Sequence, residues 1–180
     1  QGDGKAPDSL ARWTKIEIQG ADAQKLSAVE TKLKELAARR PNKSDLGLML
    51  SEVYAAKGDL ARTQTELENV LRERNSSIQA RLALAQVGRH KRDYASMLIH
   101  ADTVLAAMPG NSQARLLRAV GLMGAGRHTE AATELDELIR TEPGNIDAQV
   151  ERALLFLVEQ RFSEAAAAFQ KIYAAKHKAA

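Results

Sequence analysis

The sequence predicts an all-α fold, an α-solenoid of antiparallel helix-turn-helix repeats, and three observations point to it. The composition favours helices: Leu, Ala, Glu, Gln and Arg dominate, aromatic residues make up only 4%, and β-branched residues cluster only at Thr14, Ile16 and Ile18. The four prolines obey one spacing, since Pro7, Pro41, Pro109 and Pro143 are separated by 34, 68 and 34 residues, with Asn75 at the vacant place. Small and large apolar residues then recur in register with that spacing. A period of this length marks stacked helical hairpins, none of which can bury its apolar stripe alone.

Residues 1–9, beginning Gln1-Gly2-Asp3-Gly4-Lys5-Ala6-Pro7, read as a linker or as the first residues after a removed segment. The solenoid is expected over 10–180, with repeats at 10–43, 44–77, 78–111, 112–145 and 146–179. The first repeat is degenerate: Trp13 stands early in its helix A, but Thr14, Ile16, Ile18 and Gly20 weaken that helix. In the next four, helix A carries a small residue, Ser51, Ala85, Ala119 or Ala153, where helix B must approach closely. Helix B answers with Thr63, Met97, Ala131 and Ala165, then Leu67, Ala101, Leu135 and Phe169, then Val70, Val104, Leu138 and Ile172. In the first repeat the equivalents are Val29, Leu33 and Leu36. Steps of four and three lay each set on one face of a helix. Polar turns join the paired helices: Lys57-Gly58-Asp59-Leu60, Lys91-Arg92-Asp93-Tyr94, Ala125-Gly126-Arg127-His128 and Glu159-Gln160-Arg161-Phe162. Pro109-Gly110-Asn111 and Pro143-Gly144-Asn145 end one repeat and start the next.

With these columns the chain resembles the tetratricopeptide repeat family in its bacterial form, over nearly its whole length from Leu10. The resemblance implies a right-handed superhelix in which the A helices line a concave face. It also implies a closing solvating helix, which the ending Lys176-His177-Lys178-Ala179-Ala180 does not supply. Either the array continues in a longer protein, or another surface covers that end and the chain forms homo-oligomers there.

The same resemblance places groove residues. Asp45, Leu48, Glu52, Ala55 and Ala56 fall there in the second repeat, and Gln79, Leu82, Gln86, Arg89 and His90 in the third. Gln113, Leu116, Val120, Met123 and Gly124 follow in the fourth, with Asp147, Val150, Leu154, Leu157 and Val158 in the fifth. Helix A of the last two repeats is more apolar than a hairpin needs, which points to an apolar floor suited to an amphipathic helix or peptide. Arg81 and Arg115 stand one repeat apart with Gln149 next, and Arg118 and Arg152 form a second pair. Guanidinium ladders suit a carboxylate-bearing ligand, so Arg115 joins the candidate site, while the 118 and 152 column is expected to pack within the hairpin and meet a neighbouring acid.

The inventory narrows the function classes. Without cysteine there is no disulfide, Cys-zinc site or thiol nucleophile. The histidines, His90, His100, His128 and His177, lack metal-ligand spacing, and Gly121, Gly124 and Gly126 are not ordered as a phosphate loop. Asn42-Lys43-Ser44 and Asn75-Ser76-Ser77 match a glycosylation sequon but read more simply as helix starts. The net charge of +3 comes from 26 basic residues interleaved with 23 acidic ones, which is no nucleic-acid footprint. No apolar run is long enough to span a bilayer, and the compartment stays open between a cytosol and a bacterial periplasm. The expected function is a protein-protein interaction module or scaffold, with no catalytic residue, cofactor or metal. Two alternatives stay open: a self-associating structural module, and an accessory domain of a larger protein.

Overall fold

The computed structural model describes residues 6–39 and 44–178, and these residues form ten α-helices and no strand. The break expected at Pro41 and the first five residues of the linker lie outside the described residues. In chain order the helices are α1 (Ala6–Ile18), α2 (Ala23–Ala38), α3 (Ser44–Ala56), α4 (Leu60–Glu73), α5 (Ile78–Lys91), α6 (Tyr94–Ala107), α7 (Ser112–Gly124), α8 (His128–Thr141), α9 (Ile146–Val158) and α10 (Phe162–Lys178). From α5 onward every helix starts 34 residues after its counterpart in the preceding repeat. The turns at Asn75, Pro109 and Pro143 fall between helices, as the spacing predicts.

The first hairpin departs from that period. Its helix A starts at Ala6, four residues ahead of the place the period assigns, Leu10, so residues 6–9 are helix rather than linker. The cause is local. Gly20 takes the left-handed conformation at φ +67° and stops α1, and the Asp22 carboxylate then accepts a hydrogen bond from the Lys25 amide to start α2 early. Thr14, expected to weaken the helix, is fully buried, and its hydroxyl donates to the Leu10 carbonyl at 2.9 Å.

The chain divides into two compact units at Val87 and Gly88. In the first, Val29 and Leu33 of α2 pack with Leu46, Met49, Leu50, Val53 and Tyr54 of α3, flanked by Leu10, Trp13, Ile18 and Leu36. A second cluster joins Leu67 and Val70 of α4 to Ala80, Leu84 and Val87 of α5. Gly47 is required there, because a Cβ at that place would come within 2.7 Å of Val70 Cγ2. In the second unit Ala119 and Leu122 of α7, Ala131, Leu135 and Leu138 of α8, and Ala148 and Leu155 of α9 form one core. The small column of helix A and the first column of helix B are buried in all four regular repeats, and the two later columns are buried in all but the last.

The hairpin turns share one backbone device. Gly58, Arg92, Gly126 and Gln160 occupy the same place in successive repeats, and all four have φ between 57° and 76°. Two of these left-handed residues are not glycine, so two turns carry strain that the hairpin packing holds in place.

Candidate functional site

The apolar A-helix residues of the second unit are brought together by α7 and α9, which touch one another as well as α8 between them in sequence. Leu116 and Met123 are half-buried and pack onto the unit's core, and Val120 is buried. Val150 and Leu154 are half-buried, and the surface opens along the last turn of α9, where Leu157 is 41% and Val158 52% exposed. Leu82 is buried and Gln86 exposed on the part of α5 that belongs to the first unit.

Arg89, in the last turn of α5, is held by a residue the sequence reading did not single out. Its Nη2 donates to Oε1 of Glu151 at 2.5 Å, joining helices 62 residues apart in sequence. Glu151 is buried at 6% exposure and stands in the column of Met49, Ala83 and Leu117. A carboxylate in an otherwise apolar column is the signal that could have found it, since a buried charge demands a partner.

The arginine columns divide by role. Arg81 Nη2 donates to the Asn75 carbonyl at 3.0 Å, Arg115 Nε to the Pro109 carbonyl at 3.2 Å and Gln149 Nε2 to the Pro143 carbonyl at 2.6 Å, each reaching back six residues. This column clamps the turn between repeats. Arg118 Nε donates to Asp102 at 2.7 Å and its Nη1 to Glu134; Arg152 Nε donates to Asp136 at 2.8 Å. Each reaches an acid on helix B sixteen residues away in sequence, the intramolecular use expected of this column. Arg152 and Arg161 also lie against the Phe156 ring at 4.1 and 4.5 Å. A recess of about 320 Å³ between α6, α7 and α8 is lined by Asp102, Leu105, Pro109, Arg115, Arg118 and Glu134.

In the first unit the strongest electrostatic cluster surrounds Glu30. Lys34 bonds it at 2.6 Å, Lys57 at 2.5 Å, and the Tyr54 hydroxyl donates at 3.2 Å. The hydrogen bonds from Lys34 and then Lys57 hold its carboxyl down at about 2. Glu52 moves the other way: burial pushes its carboxyl up, against the attraction of Lys15. Among the described residues no group of three or more His, Cys, Asp or Glu converges to hold a metal ion, and no helix is long and apolar enough to cross a membrane.

With this geometry in place, the chain can be set beside known proteins. The tetratricopeptide repeat model matches residues 116–180. Among solved structures, MamA 41-end from Desulfovibrio magneticus RS-1 superposes with a TM-score of 0.76 at 19% identity, covering 98% of this chain and 97% of that one. A tetratricopeptide repeat protein from Parabacteroides merdae ATCC 43184 gives 0.82 at 16% identity, over 96% of this chain and 66% of its own. MamA of AMB-1 gives 0.72 at 20% identity, over 93% and 95%. No curated protein matches the sequence. Residues 116–180 thus carry the tetratricopeptide repeat pattern, and nearly the whole chain shares the fold of these solved structures, an all-α helical-repeat solenoid. Proteins of this class are in general interaction modules rather than enzymes, although the fold itself assigns no ligand.

Proposed function

We propose that the chain is a protein-protein interaction module, and that the face built by α7 and α9 in its second unit holds an apolar or amphipathic helical segment of a partner protein. The observation that carries this reading is the surplus of apolar surface on α9. Its inner residues Ala148, Ala153 and Leu155 already fill the core, yet Val150, Leu154 and Leu157 add a second apolar stripe that the unit does not bury fully. Apolar surface left in water costs roughly 25 cal/mol per Å², so such a stripe favours a helix laid along it. Leu116 and Met123 of α7 pack onto the same core as α9 and remain half-buried, adding apolar area in this unit.

The test starts from a partner recovered with the 180-residue chain as bait, whose binding is then measured by calorimetry. Leu154→Ala and Leu157→Ala should each weaken binding by about 1 kcal/mol or more, as central anchors do, with little dependence on salt. Arg115→Gln is the control. It keeps a donor for the turn, as Gln149 does, and removes the charge, so affinity should hold unless the partner is acidic. If both leucine variants bind as the parent does, the α7 and α9 face is not the site.

A further inference from the structure

Three columns that turn acidic in later repeats are basic at one place in the first unit. In the register that sets Val29 and Leu33 beside Thr63 and Leu67, Lys34 stands where later repeats carry Glu68, Asp102 and Asp136. Arg62 stands where they carry Ser96, Glu130 and Glu164, and the column of Lys57 continues with Lys91 before it changes to Ala125 and Glu159. The fold brings these three cations together: α2 supplies Lys34, the turn between α3 and α4 supplies Lys57, and the first turn of α4 supplies Arg62. Lys34 Nζ and Lys57 Nζ lie 2.6 and 2.5 Å from one carboxylate, that of Glu30, and Arg62 Nη1 lies 4.0 Å from it. Lys34 and Arg62 also share the Tyr54 ring, at 5.9 and 5.6 Å from its centre.

Pairing of a buried acid explains part of this cluster and not the whole of it. Glu30 is 12% exposed in its side chain, and its two oxygens are already met by Lys34, Lys57 and the Tyr54 hydroxyl. Arg62 adds a third cation, against which the chain sets only Asp59, 3.2 Å from Nε. That carboxylate is shared, since it also caps α4 by accepting from the Arg62 amide. Lys57 donates to Ser27 Oγ at 3.1 Å, which fixes its ammonium, whereas Lys34 and Arg62 keep exposed N–H groups that the chain does not use. Three cations facing two carboxylates leave an excess of positive charge, and Arg62 lies in the first turn of a helix, where the dipole also favours an anion. A phosphoryl group matches this arrangement, because it brings close to two negative charges and three acceptor oxygens, one for each cation. We propose that Lys34, Lys57 and Arg62 form a binding site for a phosphoryl group, either that of free phosphate or that of a phosphorylated side chain. Glu30 and Tyr54 position the cations from beneath. The site lies in the first unit and does not rest on the α7 and α9 face holding a partner.

The experiment is an amide NMR titration of the 180-residue chain with inorganic phosphate, with a short phosphoserine peptide and with the same peptide carrying aspartate, each against sodium chloride at matched ionic strength. Phosphate should shift the amides of residues 57–62 and saturate with a Kd on the order of 1 mM, while chloride should leave them in place. Lys34→Gln and Arg62→Gln should each weaken binding by about fivefold or more with helicity retained, since the two side chains are 55% and 62% exposed. Lys25→Gln, which removes a cation of α2 that pairs with Glu17 outside the cluster, should leave the affinity unchanged. A phosphoserine peptide that binds more tightly than phosphate assigns the site to a phosphorylated chain, and equal affinity for the two assigns it to free phosphate. The proposal is overturned if phosphate shifts these amides no more than chloride does, or if Lys25→Gln weakens binding as much as the two cluster variants. An aspartate peptide that binds as well as the phosphoserine peptide overturns it too, because a single carboxylate would then be enough.

Discussion

Removing the Arg89 side chain beyond its methylenes, by Arg89→Met, should destabilise the second unit by about 1 to 3 kcal/mol. Glu151 is 8% exposed in its side chain, whereas Arg89 is 44% exposed. Breaking a fully buried pair costs about 3 to 5 kcal/mol because the surviving charge is left without a partner, and an exposed pair contributes about 0 to 1. With one partner buried and the other half in water, the cost falls between. Glu151→Leu restores the apolar type that Met49 and Leu117 carry in the same column, and should lie within about 1 kcal/mol of the parent chain. In that background Arg89→Met should cost almost nothing, because no charge remains to be stranded. Urea denaturation of the four proteins closes a double-mutant cycle with a coupling of about 1 to 3 kcal/mol. If Arg89→Met costs the same with Glu151 present and absent, the pair is incidental and Glu151 is buried for another reason.

Three other outcomes follow from the first unit and the turns. Glu30 has its folded carboxyl depressed from 4.5 to about 2, so it contributes stability above pH 4.5 that is lost as the pH falls towards 2. Because Lys34 is 55% exposed, water screens the interaction; Glu30→Gln should then cost about 1 to 2 kcal/mol at pH 7 and almost nothing near pH 2, a convergence that paired melts at the two pH values would show. Glu52 is shifted upwards by burial, so Glu52→Gln should raise the melting temperature slightly at pH 7, with the gain disappearing in acid where both forms are neutral. Arg92→Gly and Gln160→Gly should each stabilise by about 0.5 to 1 kcal/mol, the relief of a left-handed side chain outweighing the added freedom of the unfolded chain; a lowered melting temperature in both would show that the turns are not strained.

The fold was legible because its signals are redundant. Proline spacing, the small column of helix A and three apolar columns of helix B report one period, and from α3 onward helix and turn fall where that period sets them. The first hairpin departs from the period, by four residues at the start of α1 and three at the start of α2, because its boundary is set by Gly20 and Asp22, which stand outside the 34-residue register. Local capping competes with the period there, and with α1 packing Leu10, Trp13 and Ile18 onto the α3 core, the shifted hairpin still buries its stripe.

The candidate site was legible only where a residue breaks the rule of its column. Arg115 attracted a ligand role because arginine recurs with Arg81, yet Gln149 performs the same reach to a turn carbonyl without any charge. What that column supplies is a donor, and the recurrence of a cation there says nothing about an anionic guest. Glu151 is the opposite case: no repeat of its type occurs in the column, and it proves to be the buried end of an ion pair. The aromatic residues of α10 combine the two. Phe162, Phe169 and Tyr173 obey the columns that stack one repeat on the next, so sequence periodicity alone files them as core. Phe162 and Tyr173 are nonetheless exposed, so residue types that build the interior of other repeats lie at the surface of α10. Recurrence in a repeat protein therefore identifies what the scaffold consumes, and function is to be sought where a column changes residue type or where an unchanged column meets water.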